Sequence, residues 1–314
     1  MSFYYYLLLL STDIHVPISR CVAYYSIGGN ISPRRTTMNN KLKIAVIGGD
    51  VRQIYAAEYF TKLGHTTSLF GFGEKNTDTS LEEALYHSSC VVLPVFMTDG
   101  TVPTLDGTYI TGADIISKSK TVPAIFSGSG AHNYFTNCLR YPRYFDITRN
   151  KYFGIMNADI TSEAALSIII CNTNVSLGEL NAAILGYGKI GRSLSNKLSL
   201  LGCDPIVFAR SSEKRAEASA NGFRAFDLCD FDKHSRMLSC IVNTVPAKTV
   251  DITEDGVELL LLELASSPGG FSENEKASKR VKYINAQGLP GKTAPKSAGV
   301  ITAKAVLEIL EGEK

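Results

Sequence analysis

Three glycines, Gly186, Gly188 and Gly191, stand at G-x-G-x-x-G spacing in AILGYGKIGRSLSNKLSLLGCDPIVFARSS, residues 183–212. This spacing serves a phosphate. The first glycine allows a tight turn, the second lets backbone approach a pyrophosphate, and the third lets a helix pack closely on a strand. A helix opening at Lys189 would aim its N-terminal N–H groups at that pyrophosphate. The context is the one the motif requires. An apolar strand, Ala182 to Leu185, precedes it. Ile190, Leu194, Leu198 and Leu201 follow at helical spacing, and a second strand runs from Pro205 to Ala209. Gly186, Tyr187, Gly188, Lys189, Ile190 and Gly191 are therefore expected at a dinucleotide.

The end of the second strand bears on which dinucleotide. An NAD site usually carries Asp or Glu there for the ribose 2′-OH. This chain reads Arg210, Ser211, Ser212, with Lys214 and Arg215 behind. A guanidinium and two hydroxyls suit a 2′-phosphate, so NADP is expected over NAD.

The elements around this turn alternate strand and helix from Lys41 onward, which predicts an α/β fold of parallel sheets covered by helices. Strands are expected at 43–47, 67–70, 90–95 and 122–126, helices at 51–63, 81–87 and 113–118. The glycine-rich loop SGSGA follows at 127–131. NADITSEAALSIIICNT, 157–173, has the period of a long, largely buried helix leading into the strand at Ala182. Further strands are expected at 223–226, 240–243, 260–264 and 281–285, and a last helix at about 295–310. The reading is two Rossmann-like or flavodoxin-like domains joined by a long helix, with a cleft between them. The divisions are 38–156, the interdomain helix 157–178, the Rossmann domain 179–294, and a C-terminal helix, 295–314, returning to the first domain. Three loops leave strand ends on the cofactor side: Thr244, Val245, Pro246; ASSPGG at 265–270; and GLPGKTAPKSAG at 288–299. Ligands bind at such strand ends, and the first loop is expected beside the nicotinamide.

Composition narrows the class. The 314 residues are 45% hydrophobic and 20% charged, with a formal net charge of +2. No basic tract points to nucleic acid. The seven cysteines show neither C-x-x-C nor Cys/His ligand spacing, so no metal site or disulfide framework is expected, and the compartment reads as cytoplasmic. Residues 1–37 depart from the pattern. The apolar run Phe3–Leu10 is too short for a bilayer and lacks a basic start, so no membrane role is expected. MNNKLKIAVIGG reads as an ordinary enzyme beginning, so Met38 is the expected start and 1–37 an extension outside the fold.

The segments GGDVRQ (48–53), TSEAAL (161–166), LASSPGG (264–270) and LPGKTAPKSAG (289–299), in this order, resemble the A subunits of dipicolinate synthase. More distantly the plan resembles D-2-hydroxyacid dehydrogenases. The resemblance covers the chain from Met38. It implies NADP-linked oxidation of dihydrodipicolinate to dipicolinate, a partnership with the B subunit of dipicolinate synthase, a homo-oligomer, and the mother cell of a sporulating bacterium. The D-2-hydroxyacid dehydrogenases carry a catalytic Arg after the fifth strand and a His in a T-P-H-x-A-G segment. Here those places read Ser267–Pro268 and Lys296, which argues for a different substrate on the same scaffold.

A substrate with two carboxylates calls for cations and hydroxyls in the cleft. Arg52, one turn into the helix that follows the first strand, is the first expected carboxylate partner. Lys296 is the second, as a carboxylate partner or proton acceptor. Ser127 and Ser129 are expected as substrate contacts, and Glu163, on the apolar helix, as a base. Arg52 and Lys296 are expected to face each other across the cleft. Asp50 reads as a helix cap and His132 as a loop residue. Two other functions fit the same residues: a nucleotide-binding regulatory protein without turnover, or another dehydrogenase of 2-hydroxy or amino acids.

Overall fold

Short aliphatic runs between turn residues become the strands. KIAVI, Lys43–Ile47, forms β1 and is buried from Ile44 onward. The computed structural model describes residues 41–97, 100–248, 250, 252, 258–277 and 280–312. The expected extension 1–37 and start at Met38 lie outside these residues. Asp50 caps α1 (Val51–Lys62) with a capping box to Gln53. Then come β2 (Thr66–Phe70), α2 (Leu81–Leu85), β3 (Cys90–Val92), β4 (Thr101–Val102), β5 (Ile110–Thr111), α3 (Gly112–Lys118), β6 (Ala124–Ser127), α4 (Ser129–Asn133) and β7 (Tyr144–Asp146). The first sheet is all parallel, in the order β2-β1-β3-β6-β7.

The second half runs α5 (Lys151–Asn172), β8 (Ala182–Leu185), α6 (Lys189–Leu200), β9 (Ile206–Phe208), α7 (Ser212–Ala220), β10 (Ala225–Phe226), α8 (Asp232–Ser235), β11 (Cys240–Asn243), β12 (Leu259–Glu263), α9 (Glu273–Ala277), β13 (Val281–Asn285), α10 (Leu289–Thr293) and α11 (Pro295–Gly312). Its sheet is parallel, in the order β10-β9-β8-β11-β12-β13. That is the dinucleotide-binding order, with the topological switch between the first and fourth strands, β8 and β11.

Three differences from the sequence reading have physical causes. The connecting helix begins at Lys151, not 157, because Asn150 caps it, accepting from the Phe153 N–H at 2.8 Å. The aromatic stretch before it supplies a fifth strand, β7, and the buried Phe135, stacked on Tyr144 with ring centroids 5.2 Å apart. The two-residue strands β4 and β5 form an antiparallel hairpin in a stretch to which the sequence reading assigns no element. This hairpin closes over the end of β1: the Gly49 N–H donates to the Pro103 carbonyl at 2.6 Å.

Helix α5 is long and apolar enough to cross a membrane by length and composition, but here Phe153, Ile160, Ala164, Ala165 and Ile169 are buried within the fold. Its polar contact is with α6. The Lys197 ammonium binds the Asp159 carboxylate, and the Ser193 hydroxyl donates to the same carboxylate at 2.8 Å. Burial of Asp159 acts to raise its pKa, but these bonds outweigh it and hold the group below the ordinary value. Cys90, Cys203 and Cys240 are buried free thiols. Burial pushes Cys90 and Cys240 up to about 12, which makes them inert.

Helix α11 follows the last strand of the second sheet yet packs along α1 of the first. The contact is possible because position 299 is glycine. A Cβ there would overlap the Arg52 carbonyl and come within 2.8 Å of the Tyr55 Cβ. Gly299→Val should therefore destabilise the protein by about 1–3 kcal/mol, the usual scale for overpacking. A lower urea midpoint with an unchanged slope would report it.

Candidate functional site

Strand β8 delivers the chain into the glycine turn. Gly186 takes φ +96°, in the left-handed region, and a Cβ there would lie 2.6 Å from Thr244 Oγ1 and 2.7 Å from a Val245 methyl. Gly191 permits α6 to meet the turn, since a Cβ would overlap the Gly186 carbonyl. Gly188 caps α6 and differs from both: nothing lies within 4 Å of where its Cβ would be. The turn thus has a packed side and an open side. The open side, at the N-terminus of a twelve-residue helix, fits a pyrophosphate.

The residues expected to touch a cofactor divide. Gly186, Gly188 and Gly191 shape the turn. The Tyr187 side chain turns away: it is buried with Val207, Ala218 and Phe223, and its hydroxyl accepts from Asn221 Nδ2 at 3.1 Å. Only its backbone is left for a ligand. Ile190 likewise packs against the core. Lys189 lies across Gly154 of α5, its ammonium where a Cβ would otherwise be.

Past β9, Arg210 is exposed and donates from Nη2 to the Lys248 carbonyl at 2.9 Å. Ser211 caps α7, and Ser212 opens it. Arg215 is engaged in structure, bonded to the carbonyls of Ala209 and Arg210 and paired with Asp227. Lys214 pairs with Glu217. No carboxylate occupies positions 209–212.

Beyond β11, Thr244 donates its hydroxyl to the Leu185 carbonyl at 2.8 Å, which locks this loop to the glycine turn. Val245 is half-buried and Pro246 exposed. Beneath them lies a pair that sequence reading missed. Asn243 is 0% and Glu263 1% exposed. Asn243 Nδ2 donates to Glu263 Oε1 and to the Val245 carbonyl, each at 2.8 Å. Glu263 also accepts the N–H groups of Ala265 (3.0 Å) and Gly270 (2.7 Å). The signal was an acid closing an apolar strand, LLLLE, just before a glycine pair.

On the first sheet, Arg52 sits at the strand ends as expected, but it is not a bare cation. Its Nε donates to Asp50 Oδ1 at 2.9 Å and its Nη2 to Oδ2 at 2.7 Å. Phe96, itself exposed, holds its ring centroid 5.5 Å from the guanidinium carbon. From the second half, Gly291 meets this pair: a Cβ there would lie 2.9 Å from Arg52 Nε and 3.1 Å from Asp50 Oδ2. Asp50 therefore neutralises the Arg52 that is expected to face Lys296 across the cleft. Nη1 has no bonded acceptor among the described residues and stays available to a carboxylate.

The other expected substrate contacts separate in the same way. Ser127 is fully buried and donates to the Pro94 carbonyl at 2.6 Å, so its hydroxyl is not offered to a ligand. Ser129 is exposed at the start of α4. Lys296 is exposed in the first turn of α11, one turn before Gly299. Glu163 is exposed on α5, not buried as the apolar pattern implied, because the helix is apolar on more than its packed faces. No group of three or more His, Cys, Asp or Glu among the described residues is arranged to hold a metal. A cavity of about 630 Å³, lined by Asn172, Leu260 and Lys282 among others, opens at the other, N-terminal ends of β12 and β13.

Comparison with known proteins fits this geometry. Residues 43–140 match the family described as the N-terminal domain of the dipicolinate synthase A subunit. Residues 171–260 match the D-isomer specific 2-hydroxyacid dehydrogenase, NAD binding domain. The dipicolinate synthase A subunit of Bacillus subtilis (strain 168) is 27% identical over 285 residues, 86% of this chain and 96% of that protein. The crystal structure of the Bacillus subtilis protein superposes with a TM-score of 0.76 at 27% identity, covering 88% of this chain and 98% of that one. That of the dipicolinate synthase A subunit from Bacillus halodurans gives 0.74 at 25% identity, covering 86% and 99%. The resemblance to the dipicolinate synthase A subunit, and more distantly to D-2-hydroxyacid dehydrogenases, therefore holds in sequence and in fold.

The Asp50–Arg52 pair has a pH signature. Burial acts to raise the Asp50 pKa, but the bonds and charge of Arg52 outweigh it and hold the group below 3.8. A depressed carboxylate contributes stability above its unfolded value and loses it as pH falls through its folded value. Asn caps a helix as well as Asp, so Asp50→Asn isolates the ion pair. Thermal melts from about pH 7 to about pH 3 should show wild type above the variant at neutral pH and the gap closing below the unfolded pKa.

Proposed function

We propose that this relative of the dipicolinate synthase A subunit oxidises dihydrodipicolinate to dipicolinate with NADP as hydride acceptor, together with a B subunit. The observation that carries the reading is the open face of the Gly186–Gly191 turn at the C-terminal end of β8, where the same sheet's last strand sends Gly291 onto the Asp50–Arg52 pair. When bound, the nicotinamide dinucleotide supplies the site that takes the hydride. The substrate loses that hydride and gives up a proton to solvent water, and the product gains aromaticity. The chain therefore needs to position and match charge more than to force a bond.

Each residue then has a task. Arg52, fixed by Asp50, offers Nη1 to one carboxylate. Lys296 serves the second carboxylate. Thr244 keeps the loop of Val245 and Pro246 against the glycine turn. Arg210, Ser211 and Ser212 receive the 2′-phosphate that distinguishes NADP from NAD. A nucleotide-binding protein whose turnover depends wholly on its partner would use the same residues, and an assay with and without the B subunit separates the two. Other dehydrogenase chemistry is disfavoured by Ser267–Pro268 and Lys296, where an arginine and a histidine would be needed. The setting that follows is the cytoplasm of the mother cell, as a homo-oligomer.

Turnover and binding measurements test this reading. Purified protein, with NADP+ or NAD+ and freshly generated dihydrodipicolinate, should reduce the cofactor and form dipicolinate; no turnover with either cofactor, with or without the B subunit, removes the proposal. Arg210→Asp should lower the NADP-over-NAD preference about ten-fold or more, some 1.4 kcal/mol, in titration calorimetry. Arg52→Ala should raise KM by about ten- to a hundred-fold, the scale of a lost charged hydrogen bond, with dinucleotide affinity unchanged.

A further inference from the structure

Glu263 is a buried carboxyl group whose hydrogen bonds all come from donors. Its bonds from Asn243 Nδ2, Ala265 N and Gly270 N are all donated by N–H groups. None of these partners is an acceptor that would take a carboxyl proton, and all three are donors of the kind a carboxylate accepts. None is an ammonium or a guanidinium either. Lys276 feels the Glu263 charge, but that ammonium is bonded to Glu273 at 2.8 Å. An ionised group this deeply buried is costly unless opposite charge meets it.

Its position indicates what that charge is. Glu263 ends β12 and Asn243 ends the neighbouring β11. Together they hold the loops 244–246 and 265–270. Gly269 and Gly270 are required there because a Cβ at either would run into Glu263 or Asn243. In a sheet of this order the dinucleotide lies across the switch point, with its adenosine half over β8 and β9 and its nicotinamide half over β11 and β12. The carboxylate would thus lie beneath the nicotinamide half of a bound dinucleotide. Oxidised and reduced cofactor differ in charge only at that ring, which is cationic when oxidised and neutral when reduced.

We propose that Glu263, held by Asn243, is an electrostatic selector that makes the site bind the oxidised nicotinamide in preference to the reduced one. This rests on the dinucleotide reading above. Its use would be in turnover: the site would favour loading of the oxidised cofactor and release of the reduced one. The same field makes the bound ring a weaker hydride acceptor, which a reaction ending in an aromatic ring tolerates.

The test is direct binding to the full-length protein without substrate. NADP+, NADPH, NAD+ and NADH are each titrated by calorimetry. Wild type should bind the oxidised member of its preferred pair about ten-fold tighter than the reduced one. Glu263→Gln should bring that ratio close to one, while Glu263→Asp, which keeps the charge, should retain it. Circular dichroism checks that both variants are folded. A wild-type ratio at or below one overturns the selector even if Glu263→Gln does not fold, and so does an unchanged ratio in a folded Glu263→Gln. Failure of all four dinucleotides to bind overturns the cofactor reading itself.

Discussion

The close approach of α11 to α1 is the constraint on which the rest of the molecule depends. The two parallel sheets are separate hydrogen-bonded systems. Their relation is set by helices that begin in one half and finish in the other. Helix α5 carries the chain out of the first half and α11 brings it back. Gly299 lets α11 touch the α1 backbone at Arg52, so packing and site geometry meet at one residue. Its carbonyl borders the helix contact while its guanidinium lies among Asp50, Phe96 and Gly291. A residue larger than glycine at 299 or 291 would move the α1 N-terminus and the cation with it.

The second half shows a different use of burial. A Rossmann sheet leaves its loops at strand ends, and loops left to themselves are mobile. Here a polar pair under the sheet edge replaces that freedom with bonds. Asn243 and Glu263 tie two loops to each other, and Thr244 ties one of them to the glycine turn. Fully satisfied buried networks of this kind fix one conformation, whereas half-satisfied ones are liabilities. The turn, the loop beside it and the loop beyond therefore form one connected surface. The first half uses charge pairing instead, with Arg52 fixed by a carboxylate two residues away, which leaves part of the guanidinium to meet a ligand.

Much of this was legible in the chain. Gly186, Gly188 and Gly191, between an apolar strand and a helix of period 3.6, determined a dinucleotide turn, because few other arrangements of those residues satisfy the backbone. Aliphatic runs such as those of β1 and β11 determined central strands, because they are too apolar to face water. The absence of an acid after the second strand was equally plain. Tertiary structure decided the rest, and for a consistent reason: a side chain's role depends on which neighbour reaches it first. Ser127 and Tyr187 stand at site positions in sequence, yet a carbonyl and an aromatic cluster claim them. Glu163 belongs to an apolar helix, yet faces out. Arg52 read as a carboxylate partner for a ligand and Asp50 as a cap, and Asp50 is both the cap and the ion-pair partner of Arg52. The Asn243–Glu263 pair joins strands twenty residues apart, and only the parallel register of β11 and β12 brings the two side chains within a hydrogen bond.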